Sequence, residues 1–194
     1  MNSNLNNMQN TMKSIISIII ALVCCSATSF AQGNDVTLPK KLSENMSKSQ
    51  QNTIKRQIST FKNQYKASNE YASEAEVEFA VDTFSISFCE DMLIKDDCST
   101  MGMVQAIYAA AEDYDVLLNK YYQKLRNSLN SNGKSALLKA QKAWLAFRDA
   151  DDELSGAAMP PDGSMWRVVH ASNHQERIKQ RVIQLFNYYS VGRE

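Results

Sequence analysis

His170 and His174, in the stretch HASNH, stand four residues apart. On a helix that spacing turns two imidazoles to one side, where both could reach a single metal ion. The pair lacks the glutamate that follows the first histidine of a metalloprotease helix, and no third ligand stands out, so it reads as two surface or boundary histidines and no metal site is expected. Carboxylates cluster in EDYD (112–115) and DDEL (151–154), a pattern expected of solvated helix surfaces. No Ser/His/Asp or Cys/His arrangement suggests itself, and phosphate-loop and dinucleotide glycine fingerprints are missing. The chemistry-bearing residues therefore predict neither an enzyme nor a cofactor.

The N-terminal stretch has one charge, Lys13, then an apolar run from Ile15 to Cys25, then SATSFA with small Ser29 and Ala31 ahead of Gln32. This three-part pattern predicts a secretory signal peptide over 1–31, and the run is too short to span a bilayer. A lipoprotein cysteine at Cys24 or Cys25 would need a small residue before it, but Val23 precedes the first. Of 21 Lys+Arg only Lys13 precedes the cut, whereas all 21 Asp+Glu follow it, so residues 32–194 carry a net charge of −1. That balance argues against a nucleic-acid partner. The expected location is periplasmic or secreted, with no stable membrane span once the leader is removed.

Two cysteines remain, Cys89 and Cys98. A disulfide between them would close a loop of about ten residues and contribute ~2.7 kcal/mol through loop entropy; the alternative is two thiols. One close pair is not a disulfide scaffold, so the fold must rest on its core.

The elements that would carry these residues are helical throughout. Residues 32–45 read as a polar leader to a helix over 46–66, where Ile54, Ile58, Phe61 and Tyr65 form one narrow apolar stripe. The segment 77–93 is rich in strand-favouring Val, Phe, Thr and Ile, yet Val77, Ala80, Phe84, Phe88 and Leu93 could line a helix, which its surroundings favour. A long helix is predicted over 101–129, with Met103, Ile107, Tyr114, Leu117, Leu118, Tyr121 and Leu125 on one face. The turn NSNGK follows, then a helix over 134–156. The Pro/Gly-rich segment 156–164 reads as a loop, and a last helix over 165–189 aligns Ala171, Ile178, Val182, Leu185 and Tyr189. The expected fold is all-α: an antiparallel bundle of three long helices with shorter helices before them. Residues 32–74 would be a polar extension and 75–190 the helical domain.

On the helix 134–156, Arg148 and Gln141 share the stripe of Leu137, Leu138, Trp144 and Leu145. A buried guanidinium needs a partner. Asp115 and Asn119 on the preceding helix would lie at similar depth, counting from the turn at Gly133. A structural polar layer of Asp115, Asn119, Gln141, Trp144 and Arg148 is therefore expected to fix helix register.

Asp115, Leu118, Asn119, Lys120, Tyr121 and Tyr122 (D-x-x-L-N-K-Y-Y), then L-x-x-A-Q-K-A-W-L-A-F-R-D-A from Leu137 to Ala150, then Gly163–Ser164 and Arg181/Leu185, resemble the lysozyme-inhibitor LprI-like domain family over about residues 97–189. Many members carry four cysteines. Here Ala106, Asp152 and about Asn173 stand at those places, with Cys98 near the first, so the chain resembles a cysteine-poor branch. The resemblance implies a protein partner, lysozyme or another cell-wall hydrolase. The expected contact segment is Met159–Arg167: prolines such as Pro161 stiffen it, Asp162, Gly163 and Ser164 allow a sharp turn, and Trp166 and Arg167 could anchor it. The alternative is a cell-envelope interaction module with the polar helix 46–66 as its partner surface. Deleting 32–74 is then expected to leave the bundle folded.

Overall fold

The computed structural model describes residues 36–158 and 163–191. The leader expected over 1–31 lies outside the described residues, as do Pro161 and Asp162. Among the described residues six helices follow one another: α1 (Lys40–Glu44), α2 (Lys48–Ser68), α3 (Glu74–Asp96), α4 (Thr100–Ser128), α5 (Ser131–Ala158) and α6 (Ser164–Val191). The described residues contain no strand, and none of their helices is long and apolar enough to cross a membrane.

Local chemistry sets the helix starts. Ser47 and Gln50 form a reciprocal capping box at the head of α2, and Ser73 with Glu76 repeats it on α3. Ser99 accepts from the backbone N–H of Gly102 at the start of α4. Asn130 Oδ1 accepts from Gly133 N at 2.9 Å, holding the turn into α5. Gly163, at φ 127°, provides the left-handed backbone that leads into α6.

The capped start lets α3 override its strand-favouring residues. Its buried residues, Val77, Phe79, Thr83, Ser85, Ile86 and Cys89, lie on more than one side because α3 packs on both α2 and α4. Phe61 stacks on Phe84 at 4.0 Å, and Phe79 stacks on Phe186 at 4.0 Å with Tyr121 edge-on to both. The polar ends of the two fully buried tyrosines are satisfied: Tyr114 bonds Ser87 at 3.1 Å, and Tyr121 donates to Asp82 at 3.1 Å.

Residues 35–194 form one compact unit. Leu42, Ile54, Ile58 and Phe61 of α1 and α2 are buried, so the stripe expected on the polar extension is a core face docked on α3. Removing 32–74 would strip these side chains from the core, contrary to the expectation that the bundle stands without them.

The closest packing joins α4 to α6, which run parallel. Tyr108 lies level with His170, and Tyr121 level with Phe186. Between them in sequence, α5 returns antiparallel to α6 but stands off. Leu137 is the one buried side chain on α5, and Leu138 and Leu145 of the predicted stripe are 48% and 37% exposed. The row facing α6 explains this: Gln141, Trp144, Arg148 and Asp152 are too long and too polar for close apolar contact.

Candidate protein-binding surfaces

The seam between α5 and α6 is built from polar side chains. Arg181, 7% exposed, donates from Nε to Gln141 Oε1 at 3.0 Å and from Nη1 to Gln184 Oε1 at 2.6 Å. Its guanidinium lies over the Trp144 ring at 5.7 Å. Further along, Arg177 pairs with Asp151 and Asp152, and His174 Nδ1 lies 2.7 Å from Asp152 Oδ2. Burial lowers the His174 pKa, with the nearby Arg148 charge acting in the same direction.

The polar layer expected from sequence is divided by this arrangement. Gln141 and Trp144 meet Arg181. Arg148 instead donates to its chain neighbour Asp149 (2.9 and 2.7 Å) and covers the Trp144 ring at 5.5 Å. Asn119 bonds Asp115 within α4. The buried arginine of the seam is thus Arg181, because the stand-off of α5 leaves the Arg148 head at the rim beside Asp149.

Neither carboxylate cluster is simply solvated. Asp151 and Asp152 hold Arg177, and Asp113 is 5% exposed. Asp113 accepts from the backbone N–H groups of Lys41 and Leu42 at 3.1 and 2.9 Å, fastening the start of α1 to α4. Its place between Ala110 and Leu117, three and four residues away on the buried face, was the signal available in the sequence.

The histidines do not share a site: His170 Nδ1 is 3.3 Å from the Tyr108 hydroxyl, while His174 turns to Asp152. No group of three or more His, Cys, Asp or Glu among the described residues is placed to hold a metal. Of the two alternatives for Cys89 and Cys98, the structure shows two free thiols and no bridge. Seven helical steps from Cys89 to Asp96 already span about 10 Å, beyond the ~7 Å Cα reach of a disulfide. Burial pushes the Cys89 thiol up to about 12, which marks a packing residue without nucleophilic character.

A groove of about 410 Å³ opens where α3, α4 and α6 meet near the α2 end, lined in part by Lys62, Val77, Glu78, Asp82 and Lys124. Its charges are matched internally: Lys120 bridges Glu78 and Asp82, and Lys124 pairs with Glu78. At the opposite end of the bundle, Gly163 turns into α6, whose first turn holds Ser164, read from sequence as loop, together with Trp166 and Arg167, which the predicted helix already included. Trp166 is 41% exposed and Met165 65%. Gly163 is crowded from one side by the Trp166 indole: an added Cβ would meet Trp166 Cδ1 at 3.1 Å.

Fold and surfaces together define a small all-α bundle that exposes Trp166 and Arg167 at one end. Residues 95–185 match the family model described as Lysozyme inhibitor LprI, spanning α4, α5 and most of α6; this is the family the sequence motifs resemble. No curated protein and no solved structure matches the chain.

Proposed function

We propose that the protein is a secreted or periplasmic binding protein that inhibits a lysozyme or a related peptidoglycan hydrolase, with the 159–167 segment as its contact. The observation that carries this reading is the match of residues 95–185 to the lysozyme-inhibitor family. The exposed Trp166 and the neighbouring Arg167 suit the role chemically: a partly exposed indole is a typical anchor, and a cation complements the two catalytic carboxylates of a glycosidase cleft. Isothermal titration with lysozyme tests the assignment of the contact. Trp166→Ala combined with Arg167→Glu should weaken binding at least tenfold with an unchanged melting temperature. Undiminished binding by a folded double variant would place the contact elsewhere.

A further inference from the structure

One exposed row of side chains on α5 follows a strict repeat. Ala136, Ala140, Ala143, Phe147, Ala150, Leu154 and Ala157 are spaced alternately by four and three, the seam pattern of a helix that packs on another helix. All seven are exposed, with Phe147 at 58% and Leu154 at 63%. Helix propensity alone would account for exposed alanines, but not for a phenylalanine and a leucine held in register with them. Leu137 and Trp144, on the side of α5 that faces α6, lie about a quarter turn around the helix from this row, and only Leu137 is buried, so the regular apolar row stays exposed.

We propose that this face is where two copies of the chain pair, α5 against α5, in antiparallel orientation. Charge selects the orientation. The exposed Lys139 and Lys142 lie in the first half of α5 and the exposed Glu153 in the second, where Asp149, Asp151 and Asp152 are already paired with Arg148 and Arg177. An antiparallel pair sets the lysine half of each copy against the Glu153 half of the other, whereas a parallel pair sets like halves side by side.

Size and charge also select one register. With Phe147 of one copy opposite Ala143 of the other, Leu154 faces Ala136 and Ala140 faces Ala150. Every large side chain then meets a small one, and the two-fold axis repeats each layer. The same register brings the flanking Lys139 beside Glu153 of the second copy, twice per dimer. Sliding one helix by a heptad keeps an apolar seam but separates these charges. The alanines permit a close approach of the helix axes, within the usual ~8–10 Å. The Trp166 ends of the two copies then point to opposite ends of the dimer, clear of the interface.

Sedimentation velocity on the full chain, expressed with its own leader and followed over a wide concentration range, tests the pairing. The protein should sediment at twice its chain mass. Phe147→Glu and Ala143→Glu, both at exposed positions, should each halve that mass while leaving the helical circular dichroism intact. Lys139→Glu and Glu153→Lys should each weaken the dimer at least tenfold, and the double exchange in one chain should restore it. Mixing the two single variants should restore it as well, because each then supplies the charge the other lacks. A wild-type protein that stays at single-chain mass throughout overturns the proposal, as does a dimer that survives Phe147→Glu. A dimer whose charge-exchange variants show no rescue overturns the antiparallel register.

Discussion

Two arginines border the α5–α6 seam, Arg181 inside it and Arg148 at its rim, and the structure assigns them unequal weights. Arg181 is 7% exposed, satisfies Gln141 and Gln184, and lies on Trp144. Arg181→Ala removes two charge-assisted hydrogen bonds, a partly desolvated ring contact and a buried stem, and leaves the Gln141 oxygen without its donor. Together these losses amount to several kcal/mol, and removing a guanidinium that is desolvated by burial offsets part of them, so the net cost should be about 2–4 kcal/mol. Arg148 pairs with the adjacent Asp149, itself 66% exposed, and Arg148→Ala should cost less than about 1 kcal/mol. Thermal unfolding followed by circular dichroism resolves the difference, since 1 kcal/mol corresponds to about 2–4 °C in a domain of this size. Arg181→Ala should melt about 5–12 °C lower than the parent and Arg148→Ala within about 3 °C of it. Equal losses, or a larger loss for Arg148→Ala, would refute the view that the seam is held through Arg181.

Other expectations follow from buried groups elsewhere. Burial raises the Glu90 carboxyl to about 7, against an opposing hydrogen bond from Gln175 and the charge of Lys179. The folded state then holds a proton that the unfolded chain releases near 4.5, so stability falls as pH rises from about 4.5 to 7 and levels off above. Glu90→Gln should flatten this dependence and gain on the order of 2 kcal/mol at pH 8, read by urea unfolding at several pH values. Asp113→Ala should cost about 1–3 kcal/mol, because the α1 N–H groups of Lys41 and Leu42 lose their acceptor; exchange of those amides by NMR should speed up. Gly102 has Asp97 so close that an added Cβ would lie 2.5 Å from its carbonyl oxygen. Gly102→Ala should therefore destabilise by about 1–3 kcal/mol in the same unfolding assay.

Much of the fold was legible because its signals are local. Ser47/Gln50 and Ser73/Glu76 mark helix starts, and the residues aligned on the last helix, Ala171, Ile178, Val182, Leu185 and Tyr189, are all buried. The docking of α2 was not legible from its own narrow stripe, because it depends on a second buried face of α3 that strand-favouring residues obscure. The partner of Arg148 depended on the distance between α5 and its neighbours, a tertiary quantity that a helical wheel does not contain. Asp113 was missed for a different reason. Its periodicity placed it inside, but an acidic run suggests solvent until the α1 amides that it accepts from are seen. At the candidate contact, the sequence located the Gly163 turn and the helix that carries Trp166 and Arg167, which α6 extends back to Ser164.

Inhibition of a cell-wall hydrolase, the proposed function of this bundle, is tested most directly by titrating the purified protein into lysozymes of several structural types while following hydrolysis of cell walls. Stoichiometric loss of hydrolysis is expected for at least one type, relieved by the Trp166→Ala, Arg167→Glu double variant. Full hydrolysis by every lysozyme at a large excess of folded protein would contradict it.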